Sequence, residues 1–175
     1  MPTPPPHVPP HYEWAYAALT RELAAMQREV SSYPDSASLY RAVAGLPNTG
    51  GVLVQHCAGN LRHFVGAVLG GTGYIRQRDL EFTSQGLSPD ALVDELQRTQ
   101  TDVAHGFAAL HAVDPDAPWP GALPAGASYT VRGFLQHLTS HVAYHLGQLD
   151  YHRRLVTGNV AGVGAMDVTA MSPLP

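Results

Sequence analysis

The sequence predicts an all-α protein, a four-helix bundle. Three observations carry that prediction. Four long segments repeat apolar residues at spacings of three and four, helix-start and helix-stop residues flank them, and no strand-like alternation of useful length lies between. At 175 residues and 18.7 kDa the chain forms one domain that buries on the order of 70% of its unfolded surface. A hydrophobic fraction of 45% against 14% charged residues is a globular composition, not a disordered one.

The elements follow in order. Six of the first ten residues are proline, so residues 1–10 read as an extended arm. Tyr12, Tyr16, Leu19, Leu23, Met26 and Val30 mark an amphipathic helix of roughly 20 residues, stopped by Pro34. Asp35 or Ser36 caps a short helix through Ser38–Val43. A second long helix runs from the Asn48-Thr49 cap to about Leu69, where a glycine-rich stretch ends it. The polar link YIRQRDLEFTSQG follows. Ser88-Pro89-Asp90 then opens a third helix with a serine cap, proline in its first turn and early acid. Leu92, Leu96, Val103, Phe107 and Leu110 form its inner stripe. The last helix runs from about Thr130 to Thr157, with Gly158 just beyond. The expected organisation is an arm (1–10), a bundle (11–158) and a small, apolar tail (159–175). The link between helices two and three is long enough for a crossover, so simple up-down-up-down order is not assumed.

Charge and composition narrow the function classes. A net charge of −4 offers no basic footprint, so no nucleic-acid partner is expected. No window reaches the roughly 18 uninterrupted apolar residues of a membrane span, and the N-terminus has neither the basic nor the apolar region of a signal peptide. The expectation is a cytoplasmic protein with no membrane partner. All ten basic residues are Arg, which excludes a Schiff-base lysine, a Walker A lysine and a Ser–Lys dyad. The single cysteine, Cys57, excludes an intrachain disulfide and multi-cysteine metal sites. The ten histidines point to imidazole and carboxylate ligands if a transition metal is bound.

At about 100° per residue, His137, His141, His145, Gln148 and His152 form a band beside the apolar arc of the last helix. His141 and His145 sit at the core margin, one turn apart, and two imidazoles so placed can share an ion. His152 is two turns further on, too far to join easily. On the second helix His56, Asn60 and His63 form a matching band. If the bands face each other, one of its histidines completes a three-imidazole site with an open coordination position. His63, seven residues after His56 on nearly the same face, is the rival ligand. The spacing alone also fits two partly buried histidines satisfied by hydrogen bonds. His105 reads as solvated, and Cys57, in an apolar arc, as an inert buried thiol.

Three segments then carry a resemblance. HVAYHLGQLDYHRRL, GVLVQHCAGNLRHF and YIRQRDLEF resemble, in the expected order, the HxxxHxGQ signature, the helix-two segment and the crossover connection of the DinB-like superfamily. These are four-helix metalloproteins with a histidine triad. The resemblance spans most of residues 12–155. It implies a crossover between helices two and three, and a metal triad of His56, His141 and His145. It also implies a divalent cofactor, zinc or nickel first, and a homodimer. Characterised relatives include thiol S-transferases and isomerases that use bacillithiol, mycothiol or glutathione; fold membership does not settle the reaction.

Beside the triad, Asn60, Arg62, His63, Arg78 and Gln148 are the candidates for orienting the site or binding substrate. Arg76, Asp79 and Glu81 share the charged stretch at its mouth, which reads equally as a solvated loop tied by Arg–carboxylate pairs. Gly147 suits close helix packing. Arg62 or Arg78 would hold a carboxylate of the thiol or substrate. The leading expectation is an enzyme that transfers a small thiol to an electrophile. The alternatives are a metal-dependent hydrolase, whose base would come from the loop around Asp79 and Glu81, and a non-catalytic metal- or ligand-binding protein of stress physiology.

Overall fold

A computed structural model describes residues 7–167 and Thr169. Most of the expected proline-rich arm, residues 1–6, lies outside the described residues, as does the end of the tail.

Helix α1 (Glu13–Ser31) follows a 3-10 turn at Pro10–Tyr12, and its apolar stripe of Ala15, Leu19, Leu23, Met26 and Val30 is buried. The short helix α2 (Ser36–Leu39) is capped by Asp35, which accepts from the Ser38 amide at 2.7 Å. Its cap is the first of the two expected, and it ends earlier than the sequence predicts, at Leu39, which is buried in the core. Helix α3 (Gly50–Leu61) continues without a break into a π-helical segment, Arg62–Leu69. Its widened turns pack on helix α5 (Pro89–Ala108) at Gly106, where a Cβ would collide with the Val65 carbonyl. Ser88 caps α5 by accepting from Ala91, and Thr130 caps helix α6 (Val131–Thr157) by accepting from Gly133. Gly158, at φ 71°, closes α6 in the left-handed conformation its missing Cβ allows. Helix α4 (Arg78–Thr83) lies in the expected link between helices two and three, where a six-residue helix leaves too little periodicity to detect.

Paired contacts set the directions. Helix α1 packs on α5 and α6, and α3 packs on the same two. The rings of Tyr16 and Phe107 lie 5.4 Å apart and Gln27 bonds Gln100, so α1 and α5 are antiparallel. Tyr12 donates to Val113 O and Arg132 N to Pro115 O at one end, while Glu29 pairs with Arg153 near the other; α1 and α6 are parallel. Phe64 meets Phe134 and His56 meets His141, so α3 and α6 are antiparallel. Arg62 binds Glu95 and Asp102, and Gly70 lies against Gly106, so α3 and α5 are parallel. The order is up-down-down-up. The 19-residue connection from 70 to 88 is therefore a crossover that returns along the bundle with α4 on it. Among the described residues no helix is long and apolar enough to cross a membrane.

Inside the core, Glu29 and Arg153 form an ion pair with both side chains fully buried. Arg153 also donates to Asp150 Oδ1 at 3.0 Å and to the carbonyls of Asn159 and Ala161 at 2.7 and 2.8 Å. Arg28 donates to the Val163 carbonyl, so the first part of the expected tail docks on α1 and α6. Arg153→Met leaves Glu29 buried without its partner and is expected to cost about 3–5 kcal/mol in urea unfolding. Adding Glu29→Leu should recover most of that loss; equal losses in both variants would show that the packing, not the pair, matters.

Candidate metal centre

The antiparallel pairing of α3 and α6 sets His56 level with the gap between His141 and His145. His56 Nε2 lies 3.3 Å from His141 Nε2, and His145 Nε2 lies 3.2 Å from the same atom. One ligand atom from each of the three histidines lies within 4.8 Å of the others, and they form the one such group found among the described residues.

The partners of the other ring nitrogens decide what these contacts mean. His56 Nδ1 donates to Glu81 Oε2 at 3.0 Å, and His145 Nδ1 donates to Gln148 Oε1 at 2.7 Å. Each neutral ring carries one N–H, so both Nε2 atoms are bare acceptors aimed at His141 Nε2. A single His141 N–H can satisfy only one of them, and His141 Nδ1 is buried without a partner. Three converging imidazoles short of protons fit a cation. Their 3.2 and 3.3 Å separations are close to the edge of a tetrahedron with metal–nitrogen bonds of about 2.0–2.1 Å, an edge of about 3.3–3.4 Å.

Charge state agrees. Burial, with the neighbouring His145 and His56 adding to it, pulls His141 down to about 3. Burial also lowers His145, against the opposing bond to Gln148. Both rings are neutral at physiological pH, the form that ligates. Burial alone would raise Glu81, but hydrogen bonds from Arg76 and His56 overcome it and hold the carboxylate below its usual range.

Glu81 is the residue that sequence reasoning left in the charged mouth. It stands on α4 and is 6% exposed. Arg76 grips both its oxygens, through Nε at 2.6 Å and Nη2 at 2.8 Å. Gly59, one turn of α3 past His56, makes room: a Cβ there would overlap the Glu81 carboxylate. The signal available in the sequence was an arginine and a glutamate five residues apart in the quoted crossover segment.

The other candidates divide. Gln148 reaches His145 directly. Asn60 is 8% exposed, one turn after His56, and its Oδ1 has no hydrogen-bond partner. Arg78 is exposed, with its guanidinium 5.1 Å from the Phe82 ring centre; that ring lies 4.9 Å from His56. Arg62, expected as a carboxylate holder, is already bound by Glu95 at 2.7 Å and Asp102 at 2.8 Å and lies over Tyr74, because the α3–α5 packing brings both acids to it. His63, already in the π-helical segment beyond α3, packs on Phe64 and stays out of the cluster. Gly147 does not serve close packing: a Cβ there would meet nothing within 4 Å. His152 is held by Tyr33 at 2.8 Å and the Arg41 carbonyl at 2.9 Å, and Cys57 is fully buried, which pushes its thiol up.

The Mycothiol-S-transferase family profile matches residues 16–158. The chain belongs to the mycothiol S-transferase family. That family lies within the DinB-like superfamily, in agreement with the three motif segments. No curated protein and no solved structure matches the chain.

In this family member, Glu81→Ala frees the His56 ring and removes the charge that makes it a better donor. It is expected to weaken divalent-metal affinity by about 10–100-fold, measured by competition with a chromophoric chelator. Unchanged affinity would reduce Glu81 to a loop tether.

Proposed function

We propose that the chain is a divalent-metal-dependent thiol S-transferase. Its metal ligands are His56, His141 and His145, and it delivers a low-molecular-weight thiol, mycothiol first, to an electrophile. The convergence of three imidazole Nε2 atoms, two of them bare acceptors, in a chain of the mycothiol S-transferase family, carries this reading. Three neutral donors leave room for an exchangeable ligand. Zinc and nickel are the proposed ions, since imidazole suits both. Bound there, the ion supplies a Lewis acid that makes thiolate available near neutral pH.

The chain's own residues do the positioning. Glu81, held by Arg76, fixes the tautomer and plane of His56, and Gln148 does the same for His145. Phe82 walls the His56 side, and Arg78 sets a positive charge beyond it, where polar groups of the thiol would lie. The hydrolase alternative loses one of its two candidate bases: both Glu81 oxygens are taken by Arg76, and one also by His56, which leaves only the exposed Asp79. Homodimerisation enters this reading from the family resemblance alone, and a cytoplasmic location from the sequence expectation.

The test is elemental analysis of untagged protein followed by turnover. Wild type should carry about one transition-metal ion per chain, His141→Ala should lose it, and His63→Ala should keep it. Metal-loaded wild type should then consume an electrophile in proportion to added mycothiol, and His141→Ala should not. Metal binding with no turnover on mycothiol, bacillithiol or glutathione would leave a metal-binding protein. Absence of metal after reconstitution would remove the site.

A further inference from the structure

A pocket of about 300 Å³ opens beside the centre, between the segment leading into α3 and the outer face of α6. Leu46, Leu53, Tyr144 and Tyr151 give it apolar walls, and no ionised side chain lines it. Two contacts tie it to the histidines. Gln148, which lines the pocket, accepts from His145 Nδ1, and the Tyr144 ring lies 5.2 Å from the His145 ring. Leu53 stands three residues before His56 on α3, so the pocket lies about one helical turn, ~5 Å, along the bundle from the triad.

Gly147 is what keeps it open. Glycine inside a helix costs about 1 kcal/mol relative to alanine, and no close packing requires it here: a Cβ would project into unfilled space at the pocket wall. Tyr144 and Tyr151 flank it on the same face and stay 65% and 69% exposed, large aromatic surfaces that nothing among the described residues covers. An uncharged, aromatic-walled space at the lower end of ligand-pocket volumes suits a neutral molecule of one or two rings. It does not suit a polyhydroxylated thiol, whose hydroxyls would lose water with few partners to replace it.

We infer that this pocket receives the apolar body of the electrophile, and that Gly147 sets the size of electrophile accepted. The inference rests on the transfer reading, because it assigns the second substrate of that site. The electrophile then enters between the segment leading into α3 and α6, with Gln148 standing between it and His145.

The test uses N-phenyl-1-naphthylamine, a neutral fluorophore, on metal-loaded wild type, Gly147→Leu and Leu80→Ala, an exposed control outside the pocket lining. Gly147→Leu should weaken probe binding at least about tenfold, with metal content and melting temperature retained, while Leu80→Ala leaves binding unchanged. The same variant should raise KM for 1-chloro-2,4-dinitrobenzene more than for iodoacetamide, with mycothiol as the thiol. Equal probe affinity in wild type and Gly147→Leu overturns the inference. So does a wild-type dimer that binds no probe and that Tyr151→Arg dissociates, which would give the pocket to a second copy. Intact probe binding with no thiol-dependent turnover on any electrophile instead sinks the transfer reading; the pocket would still bind neutral apolar ligands, but not as a co-substrate site.

Discussion

The parallel run of α3 and α5 is the constraint on which the site depends. Parallel neighbours cannot be joined by a short turn, so the chain between them must travel back along the bundle. That return carries α4, and α4 carries Glu81 to His56. An antiparallel α3 and α5 with a tight hairpin would leave the same three histidines on the same two helices, but no carboxylate against the first of them. The crossover is therefore the element that supplies the anionic partner of the centre, while the α3–α6 pair supplies its ligands.

The histidines resolve a proton shortage that three packed imidazoles cannot resolve among themselves. Two of the rings commit their only N–H to Glu81 and Gln148, which turns their lone pairs inward. The third is stripped of solvent and pulled to about 3, so it cannot relieve the crowding by taking up a proton near neutral pH. Such an arrangement stores its unmet demand at one point, between the Nε2 atoms. Elsewhere Arg62, Arg76 and Arg153 each bind two or more acceptors through a planar fork, which an all-arginine basic set makes available.

Long, strongly patterned elements were legible in the sequence. The stripe from Tyr12 to Val30, the Ser88-Pro89 start and the Thr130 to Gly158 helix stand within a few residues of their expected bounds, because burial and capping are written locally. Helical angle put His141 and His145 on one face and left His56 and His63 as rivals for the third place; the family resemblance chose His56, the one the structure sets against them. What local pattern could not show was contact between distant segments. Arg62 reads as an exposed polar residue until Glu95 and Asp102 arrive from α5. Gly147 reads as a packing glycine until the neighbouring helix proves to be absent from its side. Glu81 and α4 were hidden for a further reason: six residues complete fewer than two turns, and their fixing partner lies 25 positions earlier.

The docked carbonyls beyond α6 bear on where this protein can be cut. The family profile ends at residue 158 and so does the helix, which makes Gly158 look like a natural terminus. Yet the guanidinium of Arg153 is fully buried and spends two of its donors on residues 159 and 161. A chain trimmed at the helix end would leave a charged fork inside the core facing groups that are no longer there. The helical unit and the electrostatically complete unit have different lengths.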